Sequence, residues 1–258
     1  MQHQEFEPPK ELKDAIQGFW YTSIDFEKLP SGFEVLPDGY AEIIFHFGSD
    51  CSISYHGTML PLPSPFLIGL LEQPVHFHGK GHLQIIGIKC FPWAVFDMLG
   101  LPASKESVRT FEHPIAQLHS TLDHLVLAGK IREALTEVKQ YFLNVHSKIN
   151  TDSMLIKAGM AMREATGTIP VGQIAAAAHS TIRTLERNFK RSSGHTIKDV
   201  SALIRFEQVR NQLFLKPDTN LAGLAYELGY TDQSHLSKEF KRFSGITPAA
   251  FARKAKKA

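Results

Sequence analysis

Side chains that can hydrogen-bond to the edges of nucleic-acid bases are grouped in two segments of the C-terminal third. On a helical projection with Leu185 facing inward, the first outward group is Arg183, Glu186, Arg187 and Lys190. The second outward group is Ser234, Lys238 and Lys241, with Gln233 at the first turn of the same helix. Arg and Lys suit guanine, Gln suits adenine, and Glu accepts from the cytosine amine. A solvated charged face is the alternative for either group taken alone.

The charge distribution favours a polyanion as partner for this part of the chain. Residues 1–150 carry a net charge of −6, whereas residues 151–258 carry +8, although the whole chain of 258 residues is only +2. A basic half suits contact with a polyanion such as a nucleic acid, and a solvated basic surface is the alternative.

The two groups belong to an internal repeat at an offset of 51 residues. Seven of the twelve positions from 185 to 196 are identical to their counterparts. The pairs are Leu185/Leu236, Phe189/Phe240, Lys190/Lys241, Arg191/Arg242, Ser193/Ser244, Gly194/Gly245 and Thr196/Thr247. Upstream, Ile174-Ala175 corresponds to Leu224-Ala225 at an offset of 50. Two copies are too few for a solenoid, so the repeat predicts two similar helix-turn-helix motifs.

Each predicted motif consists of a short helix, a tight turn and a second helix. The Leu and Phe of the second helix are four residues apart, which places both on one buried face. Thr181 and Asp232 stand where an N-cap is needed to accept hydrogen bonds from unpaired amides. We name these the first motif (residues 174–193) and the second motif (residues 224–244).

The segment LAYELGYTDQSHLSKEFKRFSGITPAAF, residues 224–251, resembles the signature of the AraC-type family of bacterial transcription factors, and residues 174–210 resemble its first motif and linker helix. The resemblance implies about seven helices, with a central helix over residues 198–215. That helix would hold two recognition helices in successive major-groove segments of double-stranded DNA, roughly 34 Å apart. It also implies no catalytic activity and no cofactor; an activator of this type would contact RNA polymerase.

The resemblance assigns a role to each candidate residue. It implies that bases are read by Arg183, Glu186, Arg187, Gln233, Ser234, His235 and Lys238. It implies that phosphates are contacted by Thr181, Lys190, Arg191, Lys241 and Arg242. Three positions depart from the family pattern: His179-Ser180 replaces a usual Gly, Ile197 a usual Pro, and Lys238 a common Arg. An ammonium at Lys238 is a point donor, whereas a guanidinium is a fork.

The N-terminal half has the pattern of a β-rich domain with helices after it. Short β-type runs from Phe19 to Cys90 alternate with Gly and Pro, as in a sandwich or barrel. Helical patterns follow, and in one of them an apolar stripe from Ile131 to Val145 must pack on its own domain or on a second copy of the chain. We therefore expect an α+β protein of two domains. The expected parts are a β-rich domain over 1–112, helices that link or dimerise over 113–150, and an all-α DNA-binding domain over 151–258 with two helix-turn-helix motifs.

GFEVLPDGYAEIIFHFG and GIKCFPWAVFDMLGLPA are similar to a poorly characterised domain that precedes the DNA-binding region in one AraC-type subgroup. This similarity implies a cupin-like barrel that binds a small effector, forms a homodimer, or both. The sequence does not identify which strand face would line an effector pocket.

Histidines in the N-terminal half raise a different hypothesis, a metal-dependent cupin enzyme with a helical appendage. His76 and His78 have the HxH spacing of metal cupins, and His46, His56 and His82 are further candidates. The Glu that such a site needs is missing from the GKGH that follows, so we expect no metal. A third hypothesis is non-specific DNA compaction, which the basic half would also allow.

The remaining features favour a cytoplasmic protein. Cys51 and Cys90 have no metal-type or disulfide-framework spacing, and we expect both to be buried thiols. The N-terminus does not have the pattern of a secretory signal, and no apolar run reaches the roughly 18 residues of a membrane span.

Overall fold

A computed structural model describes residues 2–28, 32–55, 57–146 and 153–256 of the chain. Within these residues the protein is α+β and divides into two compact units. The β-rich unit contains the described residues of 1–35, 40–69 and 75–151, and the helical unit contains those of 36–39, 70–74 and 152–258. His56 and the expected domain boundary between residues 150 and 151 lie outside the described residues.

The described strands all belong to the β-rich unit. They are β1 Gln2–Phe6, β2 Ile16–Asp25, β3 Phe33–Val35, β4 Ala41–Gly48, β5 Cys51–Tyr55, β6 Thr58–Leu62, β7 Phe66–Ile68, β8 Val75–Gly79, β9 His82–Cys90 and β10 Val108–Arg109. They form two antiparallel sheets in the orders β1-β2-β9-β4-β7-β10 and β3-β8-β5-β6. Both sheets are open, so the closed cupin-like barrel stays a prediction.

The core of the β-rich unit lies where the two sheets meet. Phe66 of the six-stranded sheet and Phe77 of the four-stranded sheet are buried, with ring centroids 6.2 Å apart. In β4 both faces are covered, because Ile44 and Phe45 point to opposite sides of the sheet and both are buried. Burial on both faces explains why this strand has a nearly continuous apolar sequence.

The described part of the same unit also contains three α-helices: α1 Val95–Leu99, α2 Leu118–Leu127 and α3 Ile131–His146. The apolar stripe of α3 packs within its own unit, where α3 contacts α1, α2 and the 3₁₀ turn Lys10–Leu12. Leu135, Val138 and Phe142 are buried there. Of the two alternatives for this stripe, packing on its own domain is therefore the one observed.

The helical unit contains seven described helices over residues 153–256, the number that the resemblance implies. They are α4 Ser153–Glu164, α5 Val171–Ala177, α6 Ile182–Ser193, α7 Ile197–Leu215, α8 Leu221–Glu227, α9 Gln233–Ser244 and α10 Pro248–Ala255. The long helix α7 contacts α4, α6, α9 and α10. Its Phe206 is fully buried and lies 5.1 Å from the ring of Phe240 and 5.3 Å from that of Phe243.

None of the described helices combines the length and the apolar character that crossing a membrane requires.

Candidate nucleic-acid interface

The two predicted motifs are formed by α5–α6 and by α8–α9, and their inner faces are equivalent. Leu185 and Phe189 of α6 are fully buried, as are Leu236 and Phe240 of α9. This confirms the prediction that the repeated Leu and Phe form the core. Because a helix that buries one stripe must present the other, the opposite face of α6 and of α9 is available to a partner.

Repeated polar residues fix both ends of each recognition helix. Thr181 accepts a hydrogen bond from the Thr184 amide at 3.2 Å, and Asp232 accepts one from the His235 amide at 2.8 Å, which confirms both predicted N-caps. At the other end, Ser193 donates to the Phe189 carbonyl at 2.8 Å. Ser244 donates to the Phe240 carbonyl, also at 2.8 Å. The sequence identities at offset 51 therefore preserve the C-terminal boundary as well as core packing, whereas the N-cap is provided by a different residue type in each motif.

The turns of the two motifs have the same backbone path but different residues. His179 in the first turn has φ 50°, and Gly229 in the second has φ 69°. The residue after each turn closes the same bond, from Ser180 to the Ala175 carbonyl and from Tyr230 to the Ala225 carbonyl, both at 2.9 Å. A left-handed backbone is strained for a residue with a Cβ, so the first motif reaches this geometry at a cost that the second avoids.

The outer face of α6 is exposed. Arg183, Arg187, Lys190 and Arg191 are exposed, whereas Glu186 on their flank is half-buried. The Thr181 hydroxyl, expected to contact a phosphate, donates to the Thr184 hydroxyl at 3.0 Å in addition to capping the helix. The helix therefore presents four cations with one carboxylate beside them.

The outer face of α9 is equally exposed, but two of its side chains contact other residues of the helical unit. Its predicted contact residues, all exposed, are Gln233, Ser234, His235, Lys238, Lys241 and Arg242. The His235 ring meets the Tyr230 ring edge-on at 5.3 Å. Arg242 is 3.9 Å from Glu72, a residue of the 70–74 segment that belongs to the helical unit.

Several of these cations have no acidic partner among the residues that the structure describes. Arg183, Arg187, Lys238 and Lys241 take part in none of the ion pairs found there. A surface that bears unpaired cations on two helices is suited to a polyanion. When such cations bind phosphates, counterions are released and no protein carboxylate has to be displaced first.

A half-buried ionic network that the sequence reasoning missed joins α7 to the second motif. Arg205 of α7 lies 3.2 Å from a carboxylate oxygen of Glu239 in α9, and it donates to the Gly167 carbonyl at 3.1 Å. Its guanidinium also covers the Tyr230 ring at 5.2 Å. Burial and the nearby Glu239 carboxylate raise the pKa of the Tyr230 phenol. One feature of the sequence could have indicated this network. The charged residue Arg205 stands between Ile204 and Phe206, two buried positions of a predicted helix.

A second network holds the 36–39 segment, which belongs to the helical unit. Glu207 of α7 pairs with Arg163 of α4 at 3.3 Å and with Arg210 at 3.9 Å. The two guanidinium groups then donate to carbonyls of this segment, Arg163 to Gly39 at 2.6 Å and Arg210 to Pro37 at 3.1 Å. Sequence patterns place Pro37 and Gly39 in a loop between strands and give no sign of these partners.

The histidines of the metal hypothesis engage separate partners. His76 lies 3.5 Å from Glu34, and the His82 Nε2 lies 2.9 Å from the Ser23 hydroxyl. The His78 Nε2 is buried without a hydrogen-bond partner among the described residues. Over the part of the chain that the structure describes, no three His, Cys, Asp or Glu side chains are grouped so that they could hold a metal ion.

The β-rich unit also contains a cavity of about 450 Å³ beside β5, β6 and β8. The side chains around it include Asp50, Cys51, Ser52, Leu62, His78 and Lys80. Burial raises the pKa of the Cys51 thiol to about 12, so this group stays protonated and is a poor nucleophile. Cys51 and Cys90 are both buried free thiols, as predicted.

Two family models match separate parts of the chain. Residues 174–254 match a model described as a helix-turn-helix domain, which covers both motifs and the helix between them. Residues 4–111 match a model described as a domain of unknown function.

Among individual proteins, the uncharacterized transcriptional regulatory protein YesN of Bacillus subtilis is 30% identical over 71 residues. The match spans 27% of this chain and 19% of YesN. Among solved structures, ToxT from Vibrio cholerae has a TM-score of 0.48 at 12% identity, with 91% of this chain and 98% of that chain covered. An AraC-type transcriptional regulator from Chromobacterium violaceum has a TM-score of 0.37 at 20% identity, with 40% and 91% covered.

Proposed function

Because this chain belongs to the AraC-type family of transcription regulators, we propose that it binds a specific DNA operator with α6 and α9 in two successive major-groove segments. The observation that carries the proposal is the pair of exposed, cationic helix faces built on one repeated scaffold. Both helices contact α7, so one long helix supports the two reading elements. Such an arrangement suits two neighbouring grooves of one duplex.

Within this proposal the exposed residues divide by position along each helix. Arg183, Glu186 and Arg187 read bases from α6, and Gln233, Ser234, His235 and Lys238 read bases from α9. Phosphates are contacted by residues nearer the helix ends: Thr181, Lys190, Arg191, Lys241 and Arg242. The division follows from groove geometry, since N-terminal turns of a recognition helix enter the groove and the flanks meet the backbone.

Selection from a random duplex library with the full chain, followed by gel shifts at fixed salt, tests the proposal. We expect a defined site that is bound more tightly than random DNA. A protein that enriches no sequence, or that protects DNA without a discrete footprint, would instead be a non-specific DNA-compacting protein, and the operator proposal would be wrong.

Two substitutions in α6 separate base reading from phosphate binding. Arg183→Ala should weaken binding by about 1–3 kcal/mol and relax preference at particular base pairs. Lys190→Ala should weaken all sequences alike and reduce the slope of log K against log salt by about 0.9. Lys105→Ala, an exposed cation of the β-rich unit, is the matched control for loss of one charge.

The remaining parts of the proposal concern control. The cavity beside Cys51 lies in the 300–1,000 Å³ range of small-molecule sites, so we assign a small effector to it within a cupin-like arrangement of the two sheets. A shift in the melting temperature of the full chain during a ligand screen tests this assignment.

Contact with RNA polymerase, a homodimer and a cytoplasmic location belong to the same proposal. Sedimentation with and without operator DNA tests the dimer.

A further inference from the structure

The recognition helix of the second motif is tied to α7 by a polar network, and the corresponding positions of the first motif hold different groups. Glu239 in α9 corresponds to Asn188 in α6, and Tyr230 after the second turn corresponds to Ser180 after the first. The Asn188 side-chain oxygen is buried with no hydrogen-bond partner among the described residues. The ionic anchor is therefore specific to the second motif.

The network contacts α9 on the inner side of two base-reading candidates, Lys238 and His235. Glu239 directly follows Lys238 in α9 but faces inward, where it is 13% exposed and pairs with Arg205, itself 20% exposed. Tyr230, 6% exposed, lies beneath the Arg205 guanidinium and against the His235 ring. Arg205 thus touches both the helix that carries Lys238 and the ring that supports His235.

We propose that Arg205 is the positioning residue of the second recognition helix, and that it acts through Glu239 on α9 and through Tyr230 on His235. This inference rests on the proposed function, because it concerns how accurately α9 meets its own DNA segment. A half-buried pair that loses one partner leaves an uncompensated charge, so the helix must shift or admit water. A small displacement of donors spoils hydrogen bonds to base edges, which require correct distance and angle.

The test uses the full chain and the duplex obtained by selection. Arg183→Ala and Lys238→Ala first identify the base pairs read by the first and the second motif, respectively. If wild-type protein selects no site, the proposed function is wrong, and the positioning role of Arg205 is wrong with it. If it selects a site, the positioning role is tested independently in the next step.

Glu239→Gln and Arg205→Lys should each lower affinity on the order of tenfold. Both should weaken preference at base pairs of the second segment and leave preference unchanged at the base pairs that Arg183→Ala affects. The two changes should not add in the double variant, because Glu239→Gln removes the carboxylate and Arg205→Lys removes the forked donor of one and the same pair. Asn188→Ala, at the matched place in the first motif, should leave preference in the second segment intact.

Two substitutions of Tyr230 test whether its ring is what supports His235. Tyr230→Phe keeps a ring beneath the guanidinium and against His235, and it should retain base preference. Tyr230→Leu removes the ring and should lose preference at the base pair read by His235. Thermal unfolding of every variant accompanies these measurements. Equal loss of preference in both segments, in step with a lower melting temperature, would reduce Arg205 to a general structural role. Unchanged preference in the second segment would also overturn the inference.

Discussion

The first and the second motif share a scaffold and differ in how that scaffold is completed. Both bury a Leu and a Phe four residues apart, and both end at a glycine with positive φ, 77° at Gly194 and 74° at Gly245. The first motif, however, places His179 in a left-handed turn where the second has Gly229. The second alone has the Arg205 anchor described above. Identical positions thus maintain the shape, while the divergent ones alter strain and attachment.

The largest effects should come from the shared core, where the comparison predicts equality. Phe189→Ala and Phe240→Ala should each lower the free energy of unfolding by about 3–5 kcal/mol, since both side chains are fully buried. Urea titration of the full chain, monitored by a helix-sensitive signal, measures both. A large cost for one phenylalanine and a cost below 1 kcal/mol for the other would show that the two cores are not equivalent.

A smaller, opposite pair of effects should appear at the turns. Gly229→His should destabilise the protein by about 1–2 kcal/mol, because a side chain is disfavoured in the left-handed region. His179→Gly should stabilise it by about 0.5–1 kcal/mol, the relief of strain being partly offset by the greater freedom of glycine in the unfolded chain. Melting temperatures of the two variants give the signs directly, and a destabilised His179→Gly protein would contradict the strain argument.

The turns also illustrate how far sequence alone could go. The Leu and Phe core and both N-caps were predicted from the sequence, because each depends on local spacing. The seven helices of this region were implied by the resemblance to the AraC-type family. The Arg205 and Glu207 networks depend on side chains far apart in sequence, and a periodic pattern contains no information about such pairs. The same reason explains why segments 36–39 and 70–74, which stand within the β-type part of the sequence, were not expected in the helical unit.

The repeated serines should give effects near 1 kcal/mol that are again equal. Ser193 accepts from the His195 amide at 3.1 Å while donating to a helix carbonyl, and Ser244 accepts from the Ile246 amide at 3.4 Å. Replacing either by Ala removes the hydrogen bond that the hydroxyl donates and the longer one that it accepts, a combined loss on the order of 1 kcal/mol. Ser193→Cys, which keeps a weak donor, is the control. A negligible change at both sites would mean that the conserved geometry is maintained by packing alone.

The smallest effect should distinguish Arg191 from its repeat counterpart, Arg242. Arg242 faces Glu72 at 3.9 Å, with both side chains more than half exposed, whereas Arg191 takes part in no ion pair among the described residues. An exposed pair contributes only about 0–1 kcal/mol, so Glu72→Gln should barely change stability. It should nevertheless raise DNA affinity slightly, because a carboxylate that competes with phosphate for Arg242 is neutralised. The gain should grow as salt is lowered, since screening weakens at low ionic strength.

Glu137→Gln, an exposed acid of α3, controls for the change in net charge. An equal gain from both substitutions would show that Glu72 acts through net charge, and that Arg242 is as accessible to DNA as Arg191.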